Sequence, residues 1–408
     1  MVNEYFQFLK YEGTLEYYIF ELANFSFLAF LLLFLYKLNF INATSLVVWL
    51  GLFFTPFFLN YFLFDPRLFG DQFEYAGEVM SLKASGTSID TISKLQPGYK
   101  PDENFWGVDH PITFAVSILG IVPLPNYMTV TSLAFANKLF LLISFIWFKR
   151  FFKDENKVLI LFLIPSLVIY SSLALRDTLI IIIALIFIIN LIRGNYIVSL
   201  ILLYPLFILK IQMFLVFLLY LIGKLLFQAH KYIVMFSIFL LVILASGFIL
   251  EEELLGLINM YRMGFAAEDF DAGGGAGGYA GWNKYGADIA LSLQLQSFPE
   301  AILVSLSRLP EFLLLPMPWN WNNIFYPIQT IESCFLLYLF FNLATKGKLF
   351  LNQEFILLTF MLLVGMLMYA LVMANEGTFV RYRFTMFYPF LLATFYLANH
   401  KKGLSKIN

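Results

Sequence analysis

The chain has 408 residues, of which 61% are hydrophobic, 19% aromatic and only 13% charged, with a formal net charge of −1 and a mean hydropathy of +0.80. Soluble domains carry about 25% charged residues, so a soluble enzyme is excluded, and the near-neutral charge excludes bulk attraction to nucleic acid. A single cysteine, Cys334, excludes an intrachain disulfide and a cysteine-rich metal site.

These properties predict an all-α protein, a polytopic transmembrane helical bundle forming one integral membrane unit over 1–408. The N-terminus carries Glu4, Glu12 and Glu16 and lacks the basic region of a cleavable signal, so the first apolar helix is expected to remain in the mature chain. Stretches of about 20 apolar residues suffice to span a bilayer. They occur near 17–36, 44–64, 128–148, 158–175, 177–192, 232–250, 326–344, 354–374 and 384–398. The run 196–226, interrupted by Pro205, Lys210 and Gln212, reads as two short or broken spans. The expected total is about 11 spans, with 112–125 and 300–316 ambiguous between span and interfacial helix.

Lys and Arg concentrate in 149–157, 193–195, 230–231, 345–348 and 400–406, which places these loops in the cytoplasm. The two long polar segments, 65–127 and 251–325, then lie together on the external face and are expected to contain interfacial helices. The second holds DAGGGAGGYAG (271–281), which reads as a flexible external loop or as a lid with glycine hinges.

The first external segment opens with FDPRLFGDQFEYAGEVM (64–80). As a helix it puts Phe69, Phe73, Ala76 and Met80 on one face and Asp71, Glu74, Tyr75 and Glu78 on the other. The acidic face reads either as a solvated surface that complements the helix dipole or as a functional one.

The stretch GDQFEYAGEVMSLKASG resembles the first external loop of GT-C integral membrane glycosyltransferases, which use polyprenyl- or dolichyl-linked sugars. That resemblance implies that Asp71, with Glu74 beside it, is catalytic, Asp71 serving as the base that activates an acceptor hydroxyl, and that Tyr75 contacts sugar. Gln72 stands where the family often has a second acid. The segments LIPSLVIYSSLALRDTLI (163–180), LLLPMPWNWNNIFYPIQTIES (313–333) and ANEGTFVRYRFTMFYPFLLA (374–393) resemble segments of bacterial membrane proteins of envelope polysaccharide synthesis, including O-antigen polymerases. This implies a multi-pass protein of the bacterial inner membrane that acts on a polyprenyl-linked glycan, with a chain-length regulator or other polysaccharide-assembly proteins as partners.

The residues carry chemistry of their own. Arg176 and Asp177 lie between two apolar spans, where ionisable groups are costly and face a partner or a cavity. Arg381 and Arg383 fall at the external end of the last span, on the side where basic residues are disfavoured. Arginine binds phosphate oxygens through a planar fork, so a lipid-linked diphosphate would suit Arg176, Arg381 and Arg383, with Lys210, Arg262 and Arg308 as further contacts. Snorkelling interface anchors and mutual ion pairs are the structural alternatives. Trp319 and Trp321 belong either to an interfacial aromatic belt or to a sugar-stacking platform, and His110, the only histidine in an external loop, is a further candidate sugar contact. No metal site is expected from histidine or cysteine, although Asp71 and Glu74 have the oxygen ligands to hold a divalent cation. Motifs of phosphate-loop ATPases, zinc proteases, serine hydrolases and dinucleotide enzymes are absent.

Together these features predict a glycosyltransferase or polymerase that works from a polyprenyl (di)phosphate donor on the external face. The rival is a transporter or flippase of a lipid-linked or anionic solute, which would use the same Arg176, Asp177 and broken helix as a midplane site.

Overall fold

A computed structural model describes residues 14–60, 71–84, 109–227, 251–256, 258, 259, 262, 294–314, 325–372 and 376–404. Over these residues the chain is helical, without strands. Backbone proximity divides it into two compact units, one of residues 1–184 and 204–211, the other of 185–203 and 212–408.

In the first unit, α1 (Leu15–Lys37) starts where the Thr14 hydroxyl accepts the Tyr17 N–H at 3.2 Å, and the chain leaves it through Asn39 at φ 58°. Asparagine is among the few residues that take this left-handed conformation readily. The next helix, α2 (Ala43–Phe58), is capped by the Asn42 side chain, which accepts the Ser45 N–H at 2.7 Å. The two helices pack against each other, and most of the outer surface of α1 is exposed apolar side chain, as lipid contact requires. Next come α3 (Asp71–Ala84) and α4 (Asp109–Leu119), which pack together. At 11 residues α4 is too short to span, since a helix rises about 1.5 Å per residue. The buried centre of the unit is α5 (Ser132–Lys149), against which Trp49 of α2 packs through Phe145 at 5.6 Å between centroids.

The expected span 158–175 is not one helix. It is α6 (Glu155–Leu161) and α7 (Pro165–Ser171), and Ser172–Arg176 is non-helical. Pro165 explains the first interruption, because it disfavours helical backbone at Ile164 and cannot donate, so it starts a new helix rather than continuing one. Helix α8 (Asp177–Ile192) follows, then a reversal at Gly194 with φ 79°, which glycine adopts without a steric penalty.

The run 196–226 divides as expected into two helices, α9 (Tyr196–Leu209) and α10 (Ile211–Phe227). The break falls at Lys210 and not at Pro205, which is carried inside α9. In the second unit, α11 (Phe298–Leu314), α12 (Phe325–Lys346), α13 (Gln353–Val372) and α14 (Glu376–Leu404) pack around one another, with a single 3-10 turn at Leu349–Leu351 between α12 and α13. The end of the Met386 side chain of α14 packs directly over Gly365 of α13, in the space a Cβ would take. The core continues through a Phe187–Phe217–Phe390 series at 5.0 and 5.8 Å. The last span, expected at 384–398, is part of the longer α14 and places Arg381 and Arg383 within the helix.

Among the described residues, four helices are long and apolar enough to cross a membrane: α1, α5, Pro327–Lys346 of α12, and α13. Shorter apolar helices are Ala43–Phe58, Asp177–Ile192, Tyr196–Leu209 and Ile211–Leu225. A helical membrane protein is what these elements describe. The expected span at 232–250 and the glycine-rich segment 271–281 lie outside the described residues.

Candidate functional site

The break between α7 and α8 is a piece of irregular backbone inside an apolar stretch, where unpaired N–H and C=O groups are costly. Three amide side chains from three other helices and their ends pair with its backbone, and two more side chains hold its edge. Asn137 of α5 donates through Nδ2 to the carbonyls of Leu173 at 2.9 Å and Leu175 at 2.8 Å. Asn60, just past α2, donates to the Ser172 carbonyl at 2.9 Å, and the Thr55 and Ser172 hydroxyls lie 2.7 Å apart. Gln72 of α3 accepts the Ala174 N–H at 2.9 Å. Lys138 of α5 donates to the Val168 carbonyl at 3.0 Å and to the Ser171 hydroxyl at 2.7 Å.

Asn60, Gln72, Asn137, Lys138, Ser171 and Ser172 are all fully buried. The result is a rigid polar cage that holds a helix open. At its exit Arg176 is half-buried, and its guanidinium makes no hydrogen bond or ion pair among the described residues. It precedes Asp177, which is buried in the first turn of α8, where a carboxylate complements the helix dipole.

The predicted acidic helix exists as α3, but its buried face differs from the expected one. Gln72, Tyr75, Ala76 and Val79 are buried, while Phe73 and Glu78 are half-buried. Tyr75, 2% exposed, is therefore packed inside the protein and not on the polar face. The expected faces fail because α3 docks on the protein through Gln72, Tyr75, Ala76 and Val79; Phe69 and the side chain of Met80 lie outside the described residues. Glu78 accepts the Thr113 hydroxyl at 3.0 Å, which ties α3 to α4. Asp71 and Glu74 lie in the first turn of α3, adjacent in sequence to Gln72 and Tyr75, and their side chains lie outside the described residues. The same holds for the side chain of His110 in the first turn of α4, and for Trp319 and Trp321 altogether.

Four other predicted cations gather in the second unit. Arg262 donates to the Leu371 carbonyl at 2.7 Å, at the end of α13. Arg383 donates to the carbonyls of Phe312 at 3.3 Å and Leu313 at 3.1 Å, at the end of α11. Cations at helix C-termini are favoured by the dipole, so part of each fork holds a helix end. Burial first, and then the charge of Arg308, hold the Arg262 guanidinium below its ordinary range. Arg308 lies 3.8 Å from Glu311, and Arg381 sits over the Tyr382 ring at 5.8 Å. A stacked series of Phe312, Tyr369 and Tyr382, at 6.1 and 5.6 Å, lines the same helix ends. Lys210, at the α9–α10 break, is buried.

A cavity of about 300 Å³ lined by Phe340, Phe341, Phe350, Phe355, Ile356 and Leu363 lies toward the other end of α13 from Leu371 and is apolar. Among the described residues no group of three or more His, Cys, Asp or Glu side chains is arranged to hold a metal.

The signal that sequence reading missed is the amide trio Asn60, Gln72 and Asn137. Each is an uncharged polar residue in or beside an apolar run, and only the fold shows that they converge on one segment. No protein-family model, no curated protein and no solved structure matches the chain.

Proposed function

We propose that the protein is an inner-membrane glycosyltransferase of GT-C type that elongates a surface glycan on the external face, taking a sugar or oligosaccharide from a polyprenyl (di)phosphate donor. The observation that carries this reading is the hydrogen bond from the Ala174 N–H to Gln72. It ties the helix bearing Asp71 and Glu74 to the break that presents Arg176 two residues further on. A carboxylic acid on the helix docked at the break and a guanidinium at the exit of that break are the two groups that transfer from a phosphate leaving group needs. Asp71 takes the proton from the acceptor hydroxyl as that oxygen attacks the anomeric carbon. Arg176 stabilises the negative charge that grows on the departing phosphate. No nucleotide takes part, because the donor's own phosphate ester supplies the driving force.

In this topology about 11 spans place 65–127 and 251–325 outside, so that the cationic cluster of Arg262, Arg308, Arg381 and Arg383 belongs to the external end of the second unit. O-antigen or a related envelope polysaccharide is the product this reading favours, with a chain-length regulator as partner. A divalent cation held by Asp71 and Glu74 fits the same chemistry.

The broken α7–α8 pair favours a second reading. Discontinuous helices whose ends face a midplane site also build transporters, and a flippase for a lipid-linked anion would use Arg176 in the same place.

The test in cells is complementation. A strain lacking the chain should regain polymer with the wild type and not with Asp71→Asn, provided the variant reaches the membrane in equal amount. Polymer at wild-type length from Asp71→Asn removes Asp71 as base.

A further inference from the structure

Glu21 stands on the membrane helix α1 with none of its surface exposed, away from the residues used above. Its carboxyl is enclosed by hydroxyls. The Thr129 hydroxyl donates to Glu21 Oε1 and also lies against the Ser132 hydroxyl, and the Thr131 hydroxyl approaches the same carboxyl. Tyr17, one turn before Glu21, brings its hydroxyl within 3.5 Å of the Thr131 hydroxyl. Thr129, Thr131 and Ser132 are each at most 1% exposed. The walls of this pocket are fixed, because Asn24, also on α1, exchanges two hydrogen bonds of 3.0 Å with the backbone of Asn126, which holds the 126–131 connection against the helix.

Glu21 Oε2 has no hydrogen-bond partner, and no Lys, Arg or His among the described residues pairs with the carboxylate. Buried charges in proteins are paired or coordinate metal ions. Ionisable groups at membrane depth mark ion or substrate paths. The surrounding donor set is all oxygen: one carboxylate and several hydroxyls, the hard ligands that alkali and alkaline-earth cations take. A single carboxylate matches a single positive charge.

We propose that Glu21, with Thr129, Thr131 and Ser132, forms a buried Na⁺ site between α1 and the start of α5. A monovalent ion there neutralises the carboxylate, satisfies Oε2 and clamps α1 to the connection that leads into α5. A divalent ion would leave an uncompensated charge. The orphaned oxygen supplies the position at which the ion is bound, and the hydroxyl oxygens turn their lone pairs to it while their protons move to neighbouring acceptors.

The experiment uses the purified full-length protein in detergent. Thermal unfolding is followed by intrinsic fluorescence in NaCl, KCl and choline chloride at equal ionic strength, together with equilibrium dialysis against ²²Na⁺. A ligand that binds only the folded state raises the midpoint with its concentration. The expected result is a saturable rise specific to Na⁺ and one ion bound per chain, both abolished in Glu21→Gln. That substitution preserves the shape and still accepts the Thr129 hydroxyl. Thr129→Val, which keeps the carboxylate, should weaken Na⁺ binding by about tenfold or more, the loss typical for groups that support a metal site. Equal midpoints in the three salts for the wild type overturn the proposal. So does an unchanged Na⁺ effect in both variants, and so does binding of no ²²Na⁺ by a folded wild type, which would mean that Glu21 is simply a protonated core residue.

Discussion

Gln72 accepts the Ala174 N–H at 2.9 Å while its own amide reaches Asn60 Oδ1 at 3.5 Å, so one buried side chain links α3, the end of α2 and the α7–α8 break. It occupies the position next to Asp71, and its amide ties the helix that carries the proposed base to the break that carries the proposed phosphate ligand. A mutation here should therefore affect chemistry as well as stability.

Gln72→Leu retains the volume but leaves the Ala174 N–H buried without an acceptor, at a cost of about 1–3 kcal/mol. Polymer synthesis should fall by more than the lost folded protein accounts for, since a small misplacement of reacting groups can cost on the order of 100-fold. The check is activity per folded molecule in membranes. Activity that tracks the folded amount alone would reduce Gln72 to a packing residue.

Asn137 holds two carbonyls of the break with one amide nitrogen, at 2.9 and 2.8 Å. Asn137→Asp replaces that donor by an acceptor facing two acceptors. It should be more damaging than Asn137→Ala, which is expected to cost about 1–3 kcal/mol. Thermal midpoints of the two purified variants give the order, and an Asp variant as stable as the Ala variant would contradict the cage as described.

Lys138 is fully buried and has no carboxylate partner among the described residues. The groups it serves keep other bonds without it. Val168 O also accepts the Ser172 hydroxyl at 2.5 Å, and the Ser171 hydroxyl also donates to Leu167 O at 2.5 Å. Replacing a buried charge by an apolar side chain of similar volume is often neutral or stabilising, so Lys138→Met should fold with a midpoint no lower than the wild type. A large drop would show that the ammonium has a role in holding α7 beyond these bonds.

At the opposite end of α5, Lys149 pairs with Glu155 at 2.6 Å, and Glu155 also receives the Ser45 hydroxyl and, at 3.2 Å, the Asn42 N–H. Burial raises the Glu155 pKa, but these donors outweigh it and the carboxyl sits below its usual value of 4.5. A depressed carboxylate contributes stability that is complete above the unfolded value and is lost as pH falls through the folded one. Unfolding midpoints should decline as pH drops below about 4.5, with a shallower decline in Glu155→Gln. Parallel pH curves for the two proteins would remove Glu155 from the acid response.

The membrane class was legible because it depends on composition, and the long apolar helices α1, α5, α12 and α13 follow from runs that need no partner to be recognised. The split of 196–226 was legible too, since Lys210 and Gln212 interrupt it, although Pro205 misdirected the position of the break. The break at 162–176 was not. Its local markers are Pro165 and the Arg176–Asp177 pair, which fixed only the boundary at 176, and the energy that keeps Ser172–Arg176 non-helical comes from Asn60, Gln72 and Asn137, which lie 36 to 112 residues away in sequence. Period alone put Tyr75 with the acids, whereas packing against the rest of the unit buries the Gln72–Tyr75–Val79 side. Among the arginines, sequence could mark unusual placement but not that Arg262 and Arg383 hold helix ends.

The most direct measurement incubates the purified protein in liposomes with a synthetic polyprenyl diphosphate-linked oligosaccharide and follows glycan length by mass spectrometry, without nucleotide or other proteins. Longer glycans with the wild type, and none with Asp71→Asn or Arg176→Ala variants that fold normally, are the expected result. Unchanged glycan length across a range of such donors, with protein-dependent movement of the labelled lipid across the bilayer, would contradict the glycosyltransferase reading and make the Arg176 site that of a transporter.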